Sequence, residues 1–152
     1  MSEHRISLDW QRAGAAFERG NHPKDHRIMY LGGQTLGVSA AVEYGGNSTL
    51  TDPEQMLLSA LSSCHLLTFL AVCANRGFVV DSYTDEAQCE IGKNDEGITA
   101  VVWAQLRPSV RFSGDLRPNA EEFNKLHDRS HRACFIGQSL KTEISVDPEM
   151  LD

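Results

Sequence analysis

Several features that would place a chain quickly in a functional class are missing here. No apolar run is long. Met56–Leu61 and Leu66–Ala74 are parted by Ser62, Ser63, Cys64 and His65, which reads as too short and too interrupted to span a bilayer. Basic residues are the minority, 14 Lys and Arg against 21 Asp and Glu. The formal net charge of −7 argues against a nucleic-acid surface. The four cysteines include no CxxC pair, which argues against a zinc knuckle and against a disulfide scaffold. The opening residues, Met1-Ser2-Glu3-His4-Arg5, lack the apolar core of a signal peptide. The expected compartment is therefore the cytoplasm, where thiols start reduced and disulfides are transient or catalytic. Internal repeats, linkers and low-complexity segments are absent as well, so residues 1–152 read as one domain.

What is present is an ordinary soluble composition, 41% apolar and 23% charged, with a clear order of elements. Ile6, Leu8 and Trp10 alternate with polar residues as a first strand does. Residues 26–31 and 34–42 read as two more strands joined at Gly32-Gly33, followed by a loop at Gly45-Gly46-Asn47-Ser48. A long helix opens at Asp52, a good N-cap, with Pro53 in the first position and Gln55 completing a capping-box pattern. It runs to Arg76-Gly77, where Gly77 is the natural stop. This helix is apolar nearly all round and needs cover on every side. One chain of this length hardly supplies that cover, which points to sheet on one side and a second subunit on the other. Residues 79–92 and 98–112 read as a β-hairpin, residues 120–133 as an amphipathic helix, 135–140 as a short turn and 140–146 as a last strand. The sum is an α+β fold, with two helices against antiparallel sheet.

Two cysteines stand out against this frame. Cys64 lies in the long helix and Cys134 at the end of the second. A buried thiol among alkyl groups is usually inert packing. Two thiols brought together by the fold are instead a redox pair, because a sulfenic acid on one is trapped as a disulfide by the other. Cys64 is too deep in its helix for the dipole to activate it, so a reactive thiolate there needs a cation. The candidates are Arg19, Lys24, His26 and Arg27. Cys73, about half a turn round the helix from Cys64, and Cys89, alternating with Ala87 and Ile91, read as structural. Glu54 suits the first helical turn as a dipole partner. It lies about 15 Å along the helix from Cys64, so the two do not easily serve one site from the same helix, whereas two copies of the helix running antiparallel would place Glu54 of one chain near Cys64 of the other. His127, His131 and Cys134 have a spacing that can present soft ligands on one side, but no fourth ligand is evident and charged residues crowd the stretch. His65 reads as a hydrogen-bonded core or interface histidine rather than a general base.

Three stretches together, Asp52-Pro53-Glu54-Gln55, Ser62-Ser63-Cys64-His65 and Ala133-Cys134-Phe135-Ile136, resemble the OsmC/Ohr family, in particular its OsmC-like branch. Arg76-Gly77-Phe78-Val79-Val80-Asp81-Ser82-Tyr83 and Leu106-Arg107-Pro108-Ser109-Val110 add to the match, which runs in order along nearly the whole chain. The resemblance implies antiparallel sheets with a long central helix carrying the first cysteine, in an intertwined homodimer. It implies a thiol-dependent peroxidase acting on organic hydroperoxides, with Cys64 as peroxidatic and Cys134 as resolving cysteine. Glu54 matches the carboxylate that pairs with an active-site arginine. Here Lys24 stands in the arginine's place, with Arg27 three residues on and Arg19 a further substitute. Lysine lacks the bidentate fork of arginine. The resemblance implies an external dithiol reductant, typically a lipoyl-bearing protein, and no metal or organic cofactor. The alternatives are a non-catalytic stress-associated dimer of the same fold, or a metal-binding protein using His127, His131 and Cys134.

Overall fold

A computed structural model describes residues 1–152, which divide into two compact units, 1–56 and 57–152. The first is built on an antiparallel sheet of β1 (Ile6–Asp9), β2 (His26–Tyr30) and β3 (Thr35–Val38). The β2–β3 turn falls at Gly32-Gly33 as expected, with Gly33 at φ +86° and its N–H on the Tyr30 carbonyl. β3 is shorter than its apolar pattern suggests, because the chain leaves the sheet and makes a 3₁₀ turn over Val42–Tyr44. A close approach follows. A Cβ on Gly46 would lie 1.6 Å from the Ala40 carbonyl oxygen, so only glycine fits.

The long helix α1 spans Pro53–Asn75, 23 residues. Asp52 Oδ1 accepts the Gln55 N–H at 2.8 Å, which caps its start. Gly77, at φ +78°, ends it, while Gly77 and Phe78 donate back to the Ala74 and Cys73 carbonyls. By length and composition the helix passes as a membrane span, contrary to the expectation that its apolar runs are too interrupted. Its polar groups point the other way. Ser62 and His65 reach laterally to side chains of other elements, and Thr68 Oγ1 bonds the Cys64 carbonyl within the helix at 2.9 Å.

Beyond α1 the expected hairpin is really two ladders in series. β4 (Val79–Asp85) pairs with β7 (Pro108–Ser113), and β5 (Gln88–Lys93) with β6 (Thr99–Leu106), all antiparallel but in separate sheets. The break has a local cause. Asp85 Oδ1 takes the Arg107 N–H at 2.7 Å, Arg107 Nε donates to the Glu86 carbonyl, and Pro108 brings no N–H. The two arms therefore leave one sheet and enter the next together. Each sheet also gains a parallel edge strand, β8 (Glu143–Val146) beside β6 and β9 (Glu149–Leu151) beside β7. The sheets of this unit are thus mixed rather than purely antiparallel, and β9 has no counterpart in the sequence reading.

Helix α2 (Ala120–Ala133) starts at a full capping box of Asn119 and Glu122. A one-turn helix α3 (Phe135–Ser139) follows directly, where only a turn was expected. Two apolar clusters hold the unit together. One gathers Phe69 and Cys73 of α1, Phe78, Val110 and Phe112, and Phe123 and Leu126 of α2. The other gathers Leu61 of α1, Ala104 and Leu106 of β6, and Cys134.

Candidate active site

The second cluster is where the two cysteines meet. Cys134 is 1% exposed in its centre, and half-buried Cys64 packs against it, with Leu58, Ala87, Ile136 and Leu140 around them. Both are free thiols. Cys134 sits at the junction of α2 and α3. Its N–H bonds the His131 carbonyl, and its Sγ accepts the Gly137 N–H at 3.3 Å. Burial pushes this thiol up to about 11, and interaction with the adjoining Cys64 side chain adds to the rise. Cys134 is therefore a neutral thiol at pH 7, held in place by backbone on both sides.

Cys64 is bracketed by two polar ties that leave α1. Two residues earlier, Ser62 Oγ donates to Asp85 Oδ2 at 2.5 Å. One residue later, His65 Nε2 lies 3.0 Å from His127 Nδ1 of α2. Both rings are at most 2% exposed, and Phe69 stacks on His127 at 4.2 Å between centroids. Burial lowers His65 to about 4 and His127 to about 3, so both are neutral at physiological pH. A bond between two neutral imidazoles uses one N–H and one lone pair. The outer nitrogens, His65 Nδ1 and His127 Nε2, have no partner. His65 is thus the hydrogen-bonded core histidine expected. Its partner and the anchoring Asp85 were not foreseen. The signal was there in part: Leu61, His65, Phe69 and Cys73 form an i, i+4 row of buried positions, and a histidine in such a row needs a polar partner.

The other candidates lie in the first unit. Lys24 Nζ donates to the His22 carbonyl at 3.3 Å and sits beside Gly45. The neighbouring Asp25 is fixed by Ser39 Oγ at 2.8 Å and Asn47 Nδ2 at 3.0 Å. The Asn47 bond first, then the Ser39 bond, holds its carboxyl below the usual range. Arg27 is exposed and paired with Asp9 at 3.2 Å. Glu54 carries a buried Oε2 with no hydrogen-bond partner, and no ion pair joins it to Lys24 within the chain.

The residues of the metal-binding alternative, His127, His131 and Cys134, are not brought together as a ligand set. His127 is turned into the core against His65, and no group of three or more His, Cys, Asp or Glu side chains is placed to hold a metal ion. Cys73 is buried and pushed up to about 12 by that burial, as befits a packing thiol. Cys89 lies in β5 on the border of the second cluster.

Comparison with known proteins agrees with the fold. The family model for OsmC-like protein matches residues 45–149. An OsmC-like protein of unknown function from Vibrio cholerae is 36% identical, with 97% of this chain and 99% of that one superposed at a TM-score of 0.93. Peroxiredoxin OsmC of Escherichia coli strain K12 is 25% identical over 119 residues, 75% of this chain and 80% of its own length. An organic hydroperoxide resistance protein OsmC from Legionella pneumophila shares the fold at a TM-score of 0.68 over 100% of this chain and 98% of that one, with 13% identity.

Proposed function

Since this chain belongs to the OsmC-like family, we propose that it is a cytoplasmic, thiol-dependent peroxidase that reduces organic hydroperoxides to alcohols. The observation that carries the reading is the packing of Cys64 against Cys134 in one apolar cluster. Two similar proteins bear names of this kind, a peroxiredoxin and a hydroperoxide resistance protein. The surroundings of the two thiols support the assignment of roles. Cys134 is fully buried and pushed up to about 11, so it does not supply the first thiolate. Cys64 is the more open of the two.

The Cys64 thiolate attacks the outer oxygen of ROOH. An S–O bond forms, the O–O bond breaks, and the alkoxide leaves as ROH on taking a proton. Cys134 then displaces hydroxide from the Cys64 sulfenic acid, giving a disulfide, and its own proton leaves with the hydroxide as water. An external dithiol, such as a lipoyl protein, reduces the bridge and is itself oxidised.

In this reading the enzyme is an intertwined homodimer. Apolar α1 residues left open on a single chain, Leu67 at 64% and Leu70 at 37%, support it, as does the unpartnered Glu54 Oε2. The partner chain's copy of Glu54 orients Lys24, and Lys24 favours the Cys64 thiolate.

One observation favours a second reading, a weakly active or non-catalytic dimer of the same fold. The single ammonium of Lys24 stands where a guanidinium would grip carboxylate and peroxide at once, and it bonds its own His22 carbonyl. Consumption of cumene hydroperoxide with a dithiol reductant separates the two. Turnover that vanishes in Cys64→Ser supports the peroxidase. No turnover in the unmodified protein leaves the non-catalytic dimer.

A further inference from the structure

The buried histidine pair takes no part in the chemistry above, yet it joins the two elements that carry the cysteines. His65 follows Cys64 directly on α1. His127 lies on α2, the helix that ends at Cys134 through the bond from the Cys134 N–H to the His131 carbonyl. Apart from these rings, α1 and α2 meet through an edge-to-face pair, Phe69 and Phe123, with Leu126 in the same apolar cluster, and through an exposed ion pair of Arg76 and Glu122 at 3.9 Å, at the ends of the helices away from the cysteines. Apolar contact by itself does not set fine register, because ridge-into-groove packing tolerates appreciable scatter. A hydrogen bond of 3.0 Å between fully buried groups does, because sliding α1 against α2 strands two imidazoles without partners. The cost of keeping the pair is visible, since each ring already leaves one nitrogen unsatisfied.

We infer that His65 and His127 are positioning residues for the Cys64–Cys134 couple, a clasp that fixes α1 against α2 so that the two thiols stay in contact. This rests on the peroxidase reading only for its biological meaning. The juxtaposition itself is tested by thiol–disulfide equilibrium. Oxidised glutathione takes two electrons and two protons from Cys64 and Cys134, leaving one protein disulfide and two reduced glutathione molecules. The equilibrium constant is the effective concentration of one thiol at the other.

The variants separate geometry from folding. His65→Gln keeps a polar atom near the Nε2 position, and His127→Asn keeps one near Nδ1. His127→Leu leaves His65 alone in the core. The double variant His65→Leu/His127→Leu removes both polar groups, so it restores an apolar core and much of the stability lost in the single change. The clasp predicts near-normal effective concentration in His65→Gln and His127→Asn. It predicts a fall of about 10- to 100-fold in His127→Leu and in the double variant, even where the double variant is as stable to denaturant as the unmodified protein. Unchanged values in both leucine variants overturn the clasp alone. A bridge formed against glutathione with no peroxide turnover overturns the peroxidase alone. Failure of the unmodified protein to bridge Cys64 to Cys134 overturns both.

Discussion

At the scale of the residue, burial and neighbours tell the thiols apart. Cys73 and Cys134 are both pushed up by burial, but only Cys134 has another cysteine beside it. Cys134→Ser is therefore expected to react with one equivalent of hydroperoxide and stop at the Cys64 sulfenic acid. A dimedone adduct on the Cys64 peptide is the check, and an adduct on Cys73 or Cys89 instead contradicts the assignment. The histidines give an acid signature. Both are depressed below their ordinary 6.5 in the folded state, to about 4 and about 3. Between those values and 6.5 the unfolded chain binds more protons, so stability falls as pH drops through that window and is fully present above it. The loss is on the order of a few kcal/mol, with His131 and Asp85 as the charged neighbours of His65. Urea unfolding at pH 7 and pH 4 is the measurement. The unmodified protein should lose much more over this interval than His65→Leu/His127→Leu, and equal losses would show that the pair is not the titrating element.

At the scale of the element, what sequence could tell depended on how local the cause was. The ends of α1 were legible because Asp52 and Gly77 act on their own neighbours, as Asn119 does for α2. Asn119→Ala removes that cap and should destabilise the second unit by about 1 kcal/mol, read from the urea midpoint. The pairing of residues 79–92 with 98–112 was legible for the same reason, through the turn at Asn94–Gly97. The break of that hairpin was not, because it depends on Asp85 meeting Arg107, 22 residues away. β9 was missed because a three-residue edge strand has too few positions to show alternation. The candidate site divides similarly. Motif context picked out Cys64 and Cys134, but the partner of His65 lies 62 residues off and is set by packing alone.

At the scale of the whole molecule, α1 is the feature that a single chain explains least. Only 28% of its most apolar 18 residues are buried within one chain. An obligate dimer is expected from this, and Leu67→Asp should shift sedimentation toward monomer at low micromolar concentration, with a loss of peroxidase activity if the site is shared between chains. A folded, fully active monomer would remove the shared site. The proposed function stands or falls with Cys64 and Cys134 as a redox couple. Its most direct test is one equivalent of an organic hydroperoxide, followed by intact mass and peptide mapping without reductant. The expected result is one intrachain Cys64–Cys134 bridge per chain, with Cys73 and Cys89 recovered as thiols. A dominant bridge through Cys73 or Cys89, or four unchanged thiols, would contradict it.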